Sequence, residues 1–165
     1  MRLATLEDMF AYRLGAALTM EHDSLEMLAD LERAASSQEV KAMFSHHAEE
    51  TREQVENLHS IFERVGIEEK EKPSPTTKGL AHEGQALIEK VGVELRDVAA
   101  LTAASGTEHF EIASYRSLIS IGRALGLKDA IDLLASNLQQ EEHTSKELEK
   151  MVKLVLADFA PTATP

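Results

Sequence analysis

Along the last third of the chain, apolar residues recur at alternating spacings of three and four. Ile131, Leu134, Leu138, Leu148, Val152 and Val155 share this register, which marks one buried stripe of an α-helix. Glu141 and Ser145 fall on the same register at its middle, where apolar residues belong. The break recurs in three other segments. Phe10, Leu14, Ala17, Glu21, Ser24, Leu28 and Leu31 form one seam, and Val40, Met43, His47, Glu50, Gln54, Leu58 and Ile61 a second. Leu101, Ser105, Glu108, Ile112, Tyr115 and Ile119 form a third, with Glu111 one turn from Glu108 and able to share its face. Each of four helices therefore carries glutamate near the centre of its apolar stripe.

Local signals set the boundaries. Thr5-Leu6-Glu7-Asp8 opens the first helix, with Thr5 as N-cap, and Ser36-Ser37-Gln38-Glu39 reads as a capping box for the second. Gly66 and Gly126 are stop signals. The expected long helices cover about 5–35, 37–65, 93–125 and 129–159, with a crossover at 66–92 and a disordered tail at 160–165. Within the crossover, the charged, proline-containing stretch 68–78 is expected as loop and Gly79–Glu89 as a short helix. Two tightly joined hairpins separated by one long connection predict an all-α, ferritin-like four-helix bundle.

Counting from the turns tests whether the acids meet. Glu21 lies 15 residues before Ser36 and Glu50 lies 14 after it, so both stand roughly 21–23 Å from that end. Glu111 and Glu141 each lie 15 residues from Gly126. One glutamate on a seam is ordinarily a surface residue caught by an error of phase; four at matched height make a shared site the simpler account. Buried carboxylates without partners would cost several kcal/mol each or take up protons. No Lys or Arg occupies the central seam positions, so metal is the simplest counter-charge. Carboxylates with an imidazole suit divalent iron or manganese, and the absence of cysteine removes thiolate sites and disulfides. His47, one turn from Glu50, is the first nitrogen candidate. His109 beside Glu108 is a contender, whereas His22, His46, His59, His82 and His143 read as surface residues or outer partners. Gln54 and Tyr115 fit either ordinary polar core positions or partners of the ligands.

Composition narrows the function classes. Aromatics make up 4% and the net charge is −12, which argues against a nucleic-acid partner. No run approaches the roughly 18 apolar residues of a membrane span, and Met1–Glu7 lacks the apolar stretch of a signal peptide, so a soluble cytoplasmic protein is expected.

Several segments resemble the YciE/YciF-like family of bacterial stress proteins in the ferritin-like superfamily. These are Thr5-Leu6-Glu7-Asp8-Met9-Phe10, His47-Ala48-Glu49-Glu50-Thr51 and, most specifically, Glu108-His109-Phe110-Glu111-Ile112-Ala113-Ser114-Tyr115. The likeness spans about residues 3 to 155. It implies a homodimer and a site drawn from Glu21, His47 or Glu50, Glu108, Glu111 and Glu141. Gln139-Gln140-Glu141-Glu142 departs from the family's run of acids and leaves Glu142 as an alternative, although the heptad favours Glu141. The superfamily's Glu-x-x-His signature is missing, and helix two carries His47-x-x-Glu50 instead. The expectation is a di-iron or di-manganese protein, two ions per chain, that reacts with dioxygen or peroxide. The alternative is a non-enzymatic stress protein whose metal site is structural or vestigial.

Overall fold

A computed structural model describes residues 2–159. The chain forms α1 (Leu6–Ala34), α2 (Gln38–Val65), α3 (Pro75–Ile88), a 3-10 turn (Val93–Leu95), α4 (Arg96–Ala124) and α5 (Lys128–Ala157). The capping box at Thr5 forms as the sequence predicts: the Asp8 amide donates to Thr5 Oγ1 at 3.0 Å and the Thr5 amide to Asp8 Oδ2 at 3.2 Å. At the second helix the cap is Ser37, whose Oγ accepts from the Val40 amide, and not Ser36. Ser36 is engaged elsewhere: its amide donates to Asp97 Oδ1 and its hydroxyl to the Val93 carbonyl. The turn between α1 and α2 is thereby fastened to the start of α4. Helix α3 begins at Pro75, ahead of the expected Gly79, because proline at the first helical position costs no hydrogen bond and presets φ. Gly66 and Gly126 adopt φ of 70° and 71°, the left-handed conformation that ends a helix.

These ties fix the topology. Arg64 and Val65 share a cleft with residues 126–130, so α2 ends where α5 begins, at the end of the bundle opposite the Ser36 turn. The connection after α2 must therefore travel the length of the bundle before α4 starts. It does so along α1: the Lys72 amide donates to the Gly15 carbonyl at 3.0 Å, and further on Thr77 Oγ1 donates to Asp23 at 2.7 Å. Helix α1 packs against α2 and α4, and α5 against the same two, so all four neighbouring pairs are antiparallel. Among the described residues, no helix is long and apolar enough to cross a membrane. The expected tail at 160–165 lies outside the described residues.

The core is split. Phe10, Leu14, Leu58, Ile61, Leu118 and Leu134 make one apolar cluster, and Leu28, Leu31, Phe44, Leu101, Ala104 and Leu148 another. Between them lies a polar layer. On α4 the buried stripe is wider than the expected seam: Leu101, Glu108, Tyr115 and Ile119 are buried, Glu111 shares their face, and Ala104 and Leu118 join them, while Ser105 and Ile112 are only half-buried. Helix α4 is covered by α3 as well as by α1 and α5, which widens its buried arc beyond a two-position seam.

Gly15 is the seat of the crossover. A Cβ there would stand 2.2 Å from the Lys70 carbonyl oxygen, a backbone atom that cannot swing aside. Gly15→Ala is expected to cost about 1–3 kcal/mol through overpacking, measured by denaturant unfolding; an unchanged midpoint would mean that the crossover is not seated there.

Candidate metal centre

The polar layer contains a cluster drawn from three helices. His47 comes from α2, Glu108 and Glu111 from α4, and Glu141 from α5; one ligand atom of each lies within 4.8 Å of the others. His47 Nε2 is 3.4 Å from Glu108 Oε1 and 3.7 Å from Glu141 Oε2. Glu108 and Glu111 occupy successive turns of α4, so both carboxylates share one face. Glu21 supplies the fourth helix: it is fully buried, and its Oε1 accepts from the Tyr115 hydroxyl at 2.5 Å.

Burial raises the pKa of the Glu21, Glu108 and Glu111 carboxyls well above the ordinary value, since each charge is held away from water. The neighbouring Glu141 adds like-charge repulsion in all three cases, whereas the Tyr115 hydroxyl partly opposes the rise at Glu21. Burial, then Glu21, likewise raises the Tyr115 phenol, which stays neutral and able to donate. No Lys or Arg is buried among the described residues, so neither residue type supplies charge to the layer.

The donor atoms themselves test whether a metal fits. Both ring nitrogens of His47, both oxygens of Glu111 and of Glu141, and one oxygen each of Glu21 and Glu108 are buried without a hydrogen-bond partner. Buried polar atoms are normally satisfied. So many free donors, converging from all four long helices, suit a divalent cation.

The remaining candidates fall elsewhere. Glu50 borders the cluster but is partly exposed, and its Oε2 accepts from Thr144 at 3.1 Å. Glu142 pairs with Arg116, and His109 is exposed with Nδ1 at 2.8 Å from the Ser105 carbonyl. His22 and His59 contact Glu71 and Glu69 of the crossover, each at 2.8 Å. His46, His82 and His143 are exposed. The sequence reading missed Asn137, fully buried beside Tyr115, and Thr144. Both lie on the register Leu134, Asn137, Glu141, Thr144, Leu148, which was available in the sequence; the apolar Leu138 next door drew the seam one residue aside.

Bundle, crossover and acid layer together define a ferritin-like protein. The family described as Domain of unknown function (DUF892) matches residues 5–160, and the chain belongs to it. It is 33% identical to Protein YciF of Escherichia coli (strain K12) over 150 residues, 90% of each chain. The crystal structure of the E. coli stress protein YciF superposes with a TM-score of 0.88 at 32% identity, covering 93% of this chain and 98% of that one. YcfI of Rhodopseudomonas palustris superposes at 0.86 with 27% identity, covering 89% and 94%. A two-domain Anabaena variabilis protein containing a ferritin-like domain matches at 0.69 with 17% identity, covering 98% of this chain and 41% of its own, and supports the fold alone.

The raised carboxyl pKa values give a signed pH dependence. Without metal, the folded protein holds protons on Glu21, Glu108 and Glu111 that the unfolded chain releases near 4.5. The folded state therefore binds more protons, and stability falls as pH rises from that value through the raised folded ones. Melting of chelator-treated protein is expected to be higher at about pH 5.5 than at about pH 8, with added divalent metal restoring the loss. A metal-free melting temperature that rises over that interval would contradict the burial of these acids.

Proposed function

We propose that this protein is a stress-response member of the ferritin-like class that holds two divalent metal ions per chain, iron first and manganese second. The observation that carries the reading is the convergence of unpartnered buried donors in one layer. His47, Glu108, Glu111 and Glu141 would hold one ion, with Glu21 through its free Oε2 and Glu50 from the solvent side completing the set for a second. Bound iron would supply one-electron chemistry toward dioxygen or peroxide at coordination positions that the protein leaves open. The chain's own part is to hold the ligands by helix packing and to exclude bulk water with apolar residues above and below. A cytoplasmic homodimer completes the reading, and a light-scattering mass near twice 18.2 kDa would support the dimer.

Anaerobic titration of apo-protein with ferrous iron is expected to saturate at two ions per chain, and admission of air to consume oxygen at an electrode. Glu141→Gln should weaken uptake more than Glu50→Gln, because Glu141 is fully buried with both oxygens free while Glu50 is partly exposed and bound to Thr144. A wild-type protein that takes up no iron would sink the proposal.

One feature favours a second reading, a metal that stabilises without turnover. Ferritin-like di-iron sites draw a Glu-x-x-His pair from each of two helices. Here Thr144 stands three residues after Glu141, and His47 is the sole imidazole of the cluster. YcfI, moreover, carries a provisional description as a structural protein. A metal-induced rise in melting temperature with no oxygen consumption would select this alternative.

A further inference from the structure

Below the cluster, toward the end where α2 stops, a hydrogen-bonded chain crosses the bundle. Asn57 Nδ2 donates to Asn137 Oδ1 at 2.7 Å. The Gln54 backbone carbonyl beside the Asn137 amide can only accept, so Nδ2 must face it and Oδ1 is left to face Asn57. Asn137 Nδ2 then donates both to the Gln54 carbonyl at 3.2 Å and to the Tyr115 hydroxyl oxygen at 3.0 Å. With its oxygen already accepting, the Tyr115 hydroxyl sends its single proton to Glu21 Oε1 at 2.5 Å. Every donor and acceptor in this series has one permitted direction, set at its start by a backbone carbonyl and a half-buried asparagine on α2. Asn137 and Tyr115 are fully buried, so water does not compete for these bonds.

From this polarity we infer that Tyr115, oriented by Asn137, is a positioning residue that reserves Glu21 Oε1 and presents only Oε2 to the metal centre. The inference rests on the proposed metal site and specifies how one of its ligands binds. Glu21 Oε2 is the oxygen left without a partner, as a reserved single-oxygen ligand requires. The Tyr115 bond takes up one lone pair of Oε1 and holds the carboxylate plane, so binding through Oε2 alone keeps that bond, whereas turning the carboxylate into symmetric chelation would strain it. The layer thereby favours one binding mode for its α1 carboxylate.

The test uses cobalt(II) as the probe, with affinity from competition against a chelator and coordination read from the visible d–d absorption. Tyr115→Phe is expected to lower affinity by about 10–100-fold, the usual effect of removing an outer partner of a ligand, and to change the intensity of the d–d bands as Glu21 is released. Asn137→Ala is expected to act in the same direction and less strongly. In a Glu21→Ala background Tyr115→Phe is expected to have almost no effect, because a residue acting through Glu21 has nothing left to position. Far-ultraviolet circular dichroism and the metal-free melting temperature separate loss of fold from loss of positioning. Equal losses in both backgrounds, or an unchanged spectrum in Tyr115→Phe, would overturn the inference while leaving the metal site standing. A wild-type protein that binds no cobalt would overturn both.

Discussion

An ionised carboxylate withdrawn from water costs several kcal/mol unless a positive charge meets it, and this bundle withdraws Glu21, Glu108, Glu111 and Glu141 together. Much of the remaining architecture follows from that burden. The acids cannot be dispersed, because each alone would sit in hydrocarbon; gathered in one layer they can share protons or a cation. The layer in turn divides the core, so that apolar packing is concentrated in two clusters on either side. Stability of the metal-free protein depends on protons that Glu21, Glu108 and Glu111 surrender when a cation arrives.

The crossover makes the gathering possible. If α4 had started beside the end of α2, a short loop would have given a simple up-down bundle. Instead the chain is led along α1, seated at Gly15 and tied at Asp23, and α4 begins where α1 ends. The Ser36 and Ser37 amides, both donating to Asp97, lock that junction and set the axial position of α4 against α1. The axial match of Glu108 and Glu111 to Glu21 is thus fixed at one end of the bundle by a few hydrogen bonds, a long way from the acids themselves.

The sequence was most legible where a polar residue interrupts a regular apolar stripe. Glu21 and Glu141 are placed by the register alone, and counting from Ser36 and Gly126 gives their level. The register failed where a helix buries more than one stripe. On α4, Ile112 and Ser105 are only half-buried while Ala104 and Leu118 are buried, a widening that a two-position seam does not foresee. On α5, Asn137 was hidden by its neighbour Leu138, since pattern reading prefers the apolar residue of an adjacent pair. At Glu50 the register marks the face but not the depth: the side chain borders the layer and turns to Thr144 near the surface. Hydrogen-bond direction, as along Asn57, Asn137 and Tyr115, has no counterpart in hydrophobic periodicity.

The antiparallel arrangement of every neighbouring pair has an electrostatic consequence for the layer. A helix carries partial positive charge at its N-terminus and partial negative charge at its C-terminus, and the influence fades within about one turn. The acids lie near mid-helix, well over two turns from any end, and at each end of the bundle the opposed termini largely cancel one another. Peptide dipoles, which elsewhere in proteins hold phosphates and carboxylates without any cation, therefore offer these glutamates almost nothing. Whatever balances their charge has to arrive from outside the backbone, as a proton or as an ion.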